Sequence, residues 1–292
     1  MRWSRLADAA MVTAAVSLLI TTAAAVATDS TKLWAAITML GEEPAYMALS
    51  LAIYTLASPD LGAQLIAALA LSGGLNIFLK NILGLPRPPP TTWRYPASGP
   101  GFPSGHSQVS TSFWSYAAIY TRSRGVAALA LAVPLSVGLS RVALGVHYPW
   151  DVVGGWGIGL AVSALFYLFA KRGPSPRSYA VFTVATSLAM LAYSAAADAP
   201  TASKLGGVLL ATALYPLLEK RGLVVRYAST GVLPRLLGFA LSLGSAAILT
   251  RLGDPLATAL HTPLALYAVY AAGVAAALTL PLLIPLAPAR TR

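Results

Sequence analysis

Segments of about 20 apolar residues recur along the whole chain, and they constrain its fold more than any other feature. A helix of this length can cross the hydrocarbon core of a bilayer, where no water is present to satisfy open backbone groups. The pattern therefore predicts an all-α polytopic membrane protein with about nine or ten spans. The predicted spans lie at about residues 8–27, 44–58, 61–84, 103–121, 125–144, 150–170, 178–196, 204–218, 232–250 and 260–286.

The composition agrees with that prediction. Hydrophobic residues make up 57% of the 292 residues and charged residues only 10%, whereas soluble domains are roughly 45–50% apolar and about 25% charged. These values exclude a water-soluble enzyme and a disordered chain. The net charge of +11 comes from short basic groups between apolar runs, which is typical of topology signals rather than of a nucleic-acid surface. We therefore expect membrane lipids, and no nucleic acid, as partners.

The distribution of basic residues predicts the orientation of the chain. If both termini lie in the cytoplasm, 13 of the 20 lysines and arginines fall on the cytoplasmic side, in agreement with the positive-inside rule. The first apolar segment could be a cleaved signal peptide ending at Ala25-Val26-Ala27. Its apolar stretch of about 18 residues instead favours a retained helix. We expect a multi-pass protein of the cell membrane.

Three polar motifs interrupt the apolar pattern between the third and sixth predicted spans. They occupy residues 80–88, 103–106 and 140–151. His106 begins a span that runs inward, and His147 follows the span that returns, 41 residues later. That separation corresponds to about two crossings. The parity of the spans therefore brings the three motifs to one membrane face, which the charge distribution predicts to be extracytoplasmic.

The motifs contain the residue types that bind a phosphate group. Lys80, Arg87 and Arg141 bring three positive charges into a chain with few charges, and ionisable groups at membrane depth are usually functional. Arginine can bind phosphate through two parallel N–H groups. The proline of the second motif fits the first turn of a helix, so Ser104 and Gly105 are predicted to offer free backbone N–H groups to an anion.

Two histidines and an aspartate complete the candidate site. His147 and Asp151 are spaced i, i+4, which is one helical turn. The carboxylate can accept from one ring nitrogen, which fixes the tautomer and leaves the other nitrogen as a nucleophile. His106 can then protonate the leaving oxygen.

The three motifs together resemble the type 2 phosphatidic acid phosphatase (PAP2) superfamily, which includes lipid phosphatases and vanadium haloperoxidases. The family pattern is Lys-x6-Arg-Pro, then Pro-Ser-Gly-His, then Ser-Arg-x5-His-x3-Asp. The chain matches it without departure at the signature positions, within residues 80–88, 103–106 and 140–151. The resemblance covers the helices around these motifs and explains nothing after about residue 172.

The resemblance implies a role for each matched residue. His147 would attack phosphorus and form a phosphohistidine, Asp151 would orient it, and His106 would be the acid. The phosphate-binding residues would be Lys80, Arg87, Ser104, Gly105 and Arg141. The scheme needs no cofactor and no metal ion, and the chain shows no clustered carboxylate ligands.

We interpret residues 1–171 as a six-helix PAP2-like core and residues 172–292 as a C-terminal extension of about four transmembrane helices, of unknown role. The expected activity is metal-independent hydrolysis of a lipid phosphate or lipid diphosphate. Two alternatives stay open, namely a phosphotransferase that uses an acceptor other than water, and a lipid transporter without chemistry.

Three other features have plain structural interpretations. Glu42 and Glu43 precede the second span on the outer side and are interpreted as a solvated loop, or else as lining the site entrance. Gly155 and Gly159 form a GxxxG pattern that is typical of close helix packing. His261 has no partner at a spacing that suits chemistry, so we interpret it as an interfacial histidine.

Overall fold

The computed structural model of the protein describes residues 4–172, 176–260 and 262–284. Within these ranges the chain is helical and has no β-strand. The helices are α1 (Arg5–Thr28), α2 (Thr31–Thr38), α3 (Glu43–Ala52), α4 (Pro59–Leu83), α5 (Gly105–Thr121), α6 (Arg124–Ala143), α7 (Pro149–Arg172), α8 (Pro176–Ala197), α9 (Pro200–Thr212), α10 (Tyr215–Lys220), α11 (Leu223–Ala228), α12 (Val232–Leu260) and α13 (Pro263–Thr279). Short 3₁₀ or π turns lie at Met39–Gly41, Ile53–Ala57, Pro90–Thr92 and Leu280–Leu283.

Eight helical stretches among the described residues are long and apolar enough to cross a membrane. The predicted all-α polytopic fold is therefore confirmed, and the protein is a multi-pass membrane protein. Two of the predicted spans are not among these eight. The segment predicted at 44–58 consists of α3 and a π turn, and the one predicted at 103–121 is α5, which has 17 residues. His261 lies outside the described residues.

The chain divides into two compact units. Unit 1 comprises Met1–Tyr46 and Leu75–Leu168, and unit 2 comprises Met47–Gly74 and Phe169–Arg292. All the residues of the three sequence motifs belong to unit 1. The predicted division into a core of residues 1–171 and an extension of residues 172–292 stays a prediction.

Capping side chains and a small apolar cluster stabilise α1, α2 and α6 in unit 1. Ser4 accepts a hydrogen bond from the backbone N–H of Ala7 and begins α1, and Ser123 begins α6 in the same way. α1 packs on α6, where Thr22 Oγ1 donates to Ser136 Oγ over 2.8 Å. α2 buries one face against the chain that leaves α6. That cluster contains Ala25, Trp34, Ile37, Leu144 and Val146.

Glycines allow α7 to lie directly against α5. A Cβ atom at Gly155 would stand 2.6 Å from the Ser104 carbonyl oxygen, and one at Gly159 would stand 2.6 Å from the Gln108 carbonyl oxygen. Both distances are far below van der Waals contact, so only glycine fits. The GxxxG pattern therefore makes a close helix contact, as predicted. This contact sets the first turn of α5 beside the first turns of α7.

Unit 2 contains a bundle in which α9 packs on α8 and α13, and α12 packs on α13. Buried hydroxyl groups cross-link these helices. The Ser187 hydroxyl donates to the Gly206 carbonyl over 2.7 Å and lies 2.6 Å from the Tyr267 hydroxyl. Tyr54 donates to the Leu278 carbonyl over 2.7 Å. Each bond satisfies a polar group that would be costly to bury alone.

Candidate active site

His147 and Asp151 form a buried pair at the start of α7. His147 Nδ1 lies 3.2 Å from Asp151 Oδ2, and the two side chains are 2% and 0% exposed. The backbone N–H of Tyr148 donates to the same carboxylate oxygen over 2.9 Å. His147 lies in the connection before α7, and burial there lowers its pKa to about 4. The imidazole is therefore neutral at physiological pH.

Arg87 determines the tautomer of that imidazole. Its Nη1 lies 2.8 Å from His147 Nε2. A guanidinium can only donate, so Nε2 must be the acceptor and the ring proton must be on Nδ1, where Asp151 accepts it. The sequence predicted the His147–Asp151 contact, and the position of Arg87 on the far side of the ring is new. His147 Nε2, the nitrogen expected to act as nucleophile, therefore carries no proton.

Arg87 also ties together the chain segments around the site. Its Nε donates to the carbonyls of Ser98 and Gly99 over 3.2 and 2.9 Å, and its Nη1 donates to the carbonyl of Val146 over 2.8 Å. Burial lowers the pKa of Arg87, although a guanidinium stays charged at neutral pH. The guanidinium therefore has a structural role in addition to its charge.

Two side chains on α4 hold the loop that leads into α5. Lys80 Nζ donates to the carbonyls of Pro100 and Gly101 over 2.5 and 3.1 Å. Asn76 lies one turn earlier and is 7% exposed; its amide donates to the Pro103 carbonyl over 3.2 Å and to Gln108 Oε1 over 2.9 Å. Sequence analysis missed Asn76. In the sequence, the only indication of its role was that an amide residue lies one helical turn before Lys80.

The helix α5 begins two residues after the start of the predicted span. Ser104 is the N-cap and Gly105 is the first helical residue, so the proline of this motif lies before the helix and not in its first turn. The backbone N–H of Ser104 donates to the Asp151 carbonyl over 2.9 Å. The expectation that this N–H is free was therefore wrong, because the contact between α5 and α7 uses it. The N–H groups of Gly105 and His106 belong to the first turn, where a helix supplies no acceptor.

Arg141 is buried near the end of α6. Its side chain is held by Thr38 Oγ1, which accepts from Nη1 over 3.0 Å, and by the ring of Tyr95, whose centroid lies 5.5 Å from the guanidinium carbon. Its Nε is buried and makes no hydrogen bond. A buried donor without an acceptor is costly. An incoming anion would satisfy it.

His106 contacts a residue that sequence analysis left undecided. Its Nε2 lies 3.3 Å from Glu42 Oε1, and the Tyr95 hydroxyl donates to the same oxygen over 3.4 Å. This contact favours the interpretation that Glu42 lines the site over the interpretation that it lies in a solvated loop. The neighbouring backbone is close as well, because a Cβ atom at Gly41 would stand 2.9 Å from His106 Cδ2.

The predicted site residues thus lie together in unit 1. His147, Asp151 and Arg87 are in direct contact, and Lys80 is close enough to Arg87 and Arg141 for their charges to interact. Their roles, the absence of a metal requirement and the membrane face stay predictions. The structure adds Thr38, Asn76 and Tyr95 to the site, and it brings Glu42, which the sequence left undecided, into contact with His106.

Sequence comparison shows which known proteins the chain resembles. The sequence profile of the PAP2 superfamily matches residues 61–175, which include all three motifs. The lipid A 1-phosphatase of Rhizobium etli is 37% identical over 109 residues, which are 34% of this chain and 46% of that protein. The lipid A 1-phosphatase of Rhizobium johnstonii is 37% identical over 124 residues, or 39% of this chain and 50% of that protein.

A 22.5 kDa protein from the cps region of Klebsiella pneumoniae is 31% identical over 125 residues, which are 39% of this chain and 59% of that protein. The chain thus spans about half the length of the curated relatives it matches. No solved structure matches it significantly. The segment at residues 61–175 is thus similar to the PAP2 superfamily.

Proposed function

We propose that this protein is a membrane phosphatase that hydrolyses a lipid phosphate or lipid diphosphate through a phosphohistidine intermediate. The observation that carries the proposal is the environment of His147. Asp151 accepts its Nδ1–H, and Arg87 lies 2.8 Å from Nε2. A neutral imidazole with an oriented lone pair beside a guanidinium is suited to attack an anionic phosphorus centre.

In the first step, the lone pair of His147 Nε2 forms a bond to phosphorus while the bond from phosphorus to the leaving oxygen breaks. The leaving oxygen keeps that electron pair and takes a proton from His106. Asp151 stabilises the positive charge that develops on the imidazole of His147. In the second step, His106 accepts a proton from water, the water oxygen bonds to phosphorus, and the P–N bond breaks to restore His147.

The cations and the first turn of α5 would hold the phosphoryl oxygens. In this proposal one N–H of Arg87 leaves His147 Nε2 and donates to a phosphoryl oxygen instead. The Nε–H of Arg141, which has no partner, also donates to a phosphoryl oxygen. Lys80 and the backbone N–H of Gly105 supply further donors, and the buried side chain of Ser104 supports that turn. Donors arranged in this way stabilise the charge of the transition state.

A substrate anchored in the bilayer fits the position of the site. His147 lies directly before a membrane-spanning helix, and the neighbouring Trp150 ring is 57% exposed and stacks on Tyr148 with centroids 4.3 Å apart. Exposed aromatic rings at helix ends are typical of the headgroup region. The two Rhizobium relatives are named for a phosphatase of lipid A. For this chain polyprenyl diphosphates, phosphatidate and phosphatidylglycerophosphate-like lipids also remain candidates.

The positive-inside rule supports an active site on the extracytoplasmic side of the cell membrane. A phosphotransferase is the second candidate, since a phosphohistidine can pass its phosphoryl group to an acceptor other than water. The structural features that favour catalysis over transport are the two histidine–carboxylate contacts, at His147–Asp151 and His106–Glu42. A transporter would have no need for either contact.

The test is phosphate release by purified protein from a panel of these lipid phosphates, in EDTA and in ¹⁸O-labelled water. Wild-type protein should release phosphate that contains one labelled oxygen, and His147→Ala should release none. Phosphate transfer without label would indicate the phosphotransferase. If no lipid releases phosphate, or if His147→Ala is as active as wild type, the proposal fails.

A further inference from the structure

The segment between α2 and α3 lines the site next to His106. Thr38 Oγ1 accepts from Arg141 Nη1 over 3.0 Å, and a Cβ atom at Gly41 would stand 2.9 Å from His106 Cδ2. The close approach at Gly41 fixes the next residue, Glu42, beside the imidazole. None of these three residues belongs to the sequence motifs of the family.

Glu42 is the carboxylate in contact with His106. Its Oε1 lies 3.3 Å from His106 Nε2, and it also accepts from the Tyr95 hydroxyl over 3.4 Å. The other charged groups whose fields act on His106 are Arg141 on α6 and Arg87 in the loop after α4, and both are positive. Burial, which has the largest effect, and these cations lower the pKa of His106 to about 4, whereas the carboxylate of Glu42 opposes that shift. The side chain of His106 is 23% exposed and that of Glu42 is 41% exposed, so the contact is only partly screened by solvent.

We propose that Glu42 is a positioning residue that orients His106 and favours the imidazolium form from which it protonates the leaving oxygen. The inference rests on the proposed phosphatase function. Glu42 accepts the Nε2–H, so the proton that leaves is on Nδ1. As the bond from phosphorus to the leaving oxygen breaks, that proton moves to the oxygen and the neutral ring keeps its Nε2–H on Glu42. The neutral ring then accepts a proton from the attacking water.

A comparison of leaving groups separates this role from a purely structural one. An alkyl phosphate needs a general acid because its leaving alkoxide is strongly basic, whereas 4-nitrophenyl phosphate does not. Glu42→Gln should lower kcat for a long-chain alkyl phosphate by about tenfold, a part of the roughly 10²–10⁴-fold that general acid catalysis contributes. The same variant should hydrolyse the aryl phosphate at close to the wild-type rate.

Two controls make the comparison specific. Glu43→Gln makes the same substitution at the adjacent position and should behave as wild type with both substrates. In a His106→Ala background, Glu42→Gln should cause no further loss, because Glu42 acts through His106. Glu42→Asp keeps the charge and should retain more activity than Glu42→Gln, which gives a second test if the glutamine variant folds poorly.

The pH profile gives a third readout. Removing the carboxylate makes the imidazolium less stable, so the alkaline limb of kcat for the alkyl phosphate should move to lower pH, by about half a unit to one unit. The inference is overturned if Glu42→Gln matches Glu43→Gln, or if it slows both substrates equally without moving that limb. It is also overturned if wild-type protein hydrolyses neither substrate, and in that case alone the proposed function falls with it.

Discussion

Arg87 Nη1 lies 2.8 Å from His147 Nε2, so a guanidinium N–H occupies the lone pair that would attack phosphorus. An incoming phosphoryl group must take over this N–H before Nε2 can react. The exchange couples substrate binding to release of the nucleophile, because the same donor moves from the imidazole to a phosphoryl oxygen. Before substrate arrives, the contact also keeps Nε2 unprotonated.

The first prediction concerns the protonation of His147. Burial lowers its pKa to about 4, so the ring should stay a neutral Nδ1–H tautomer from pH 8 down to about pH 5, whereas an ordinary histidine is half protonated near pH 6.5. Ring ¹⁵N signals of labelled protein in detergent measure this directly. The signal is assigned by its loss in His147→Ala. Titration near pH 6.5, or a proton on Nε2, would contradict the geometry.

The second prediction concerns Asp151→Asn. One carboxylate oxygen accepts from both His147 Nδ1–H and the Tyr148 N–H, and an amide oxygen at that place lacks the negative charge that stabilises an imidazolium. We expect kcat to fall on the order of 10²–10⁴-fold. KM should change much less, because Asp151 does not bind substrate. If the variant unfolds at a much lower temperature than wild type, its loss of activity would instead indicate a role of Asp151 in folding alone.

The third prediction concerns Arg87→Lys, which keeps the charge but loses the planar fork. Lysine cannot hold the Ser98 and Val146 carbonyls and His147 at once. We expect kcat/KM to fall on the order of 10²-fold, as for removal of a donor to a developing oxyanion.

Arg94→Lys is the matched control for that substitution. Arg94 is a neighbouring arginine that bonds to Asp29 over 2.9 Å and is not in contact with the histidines. Its replacement should change kcat/KM less than about twofold, since exposed ion pairs contribute little. Equal effects at the two positions would argue against a special role for Arg87.

The fourth prediction concerns the contact between α5 and α7. Gly155→Ala would set a methyl group 2.6 Å from the Ser104 carbonyl oxygen, which is a backbone atom that cannot turn away. We expect a loss of about 1–3 kcal/mol in stability and a fall in kcat, because α7 carries Asp151 and α5 carries His106. Gly157→Ala on the same helix meets nothing within 4 Å. That variant should keep its thermal unfolding midpoint and its activity.

The motif residues could be predicted because their spacing alone restricts where they lie. Two crossings separate His106 from His147, and one helical turn separates His147 from Asp151. Both distances follow from helix geometry. In the structure His147 contacts Asp151, and Arg87, which contacts His147, is close enough to His106 for its charge to act there. The free N–H expected at Ser104 was wrong because it depended on a contact from α7, which no local pattern encodes.

The sequence by itself determined the all-helical multi-pass fold, because apolar runs in a bilayer have no alternative to the helix, and it determined the polar residues that meet at one site. Only the tertiary structure decided what those residues touch. The contacts of Glu42 with His106, of Thr38 with Arg141 and of Arg87 with His147 join parts of the chain that are about 60 to 100 residues apart. Such contacts depend on how helices pack side by side, and helix periodicity does not specify that packing.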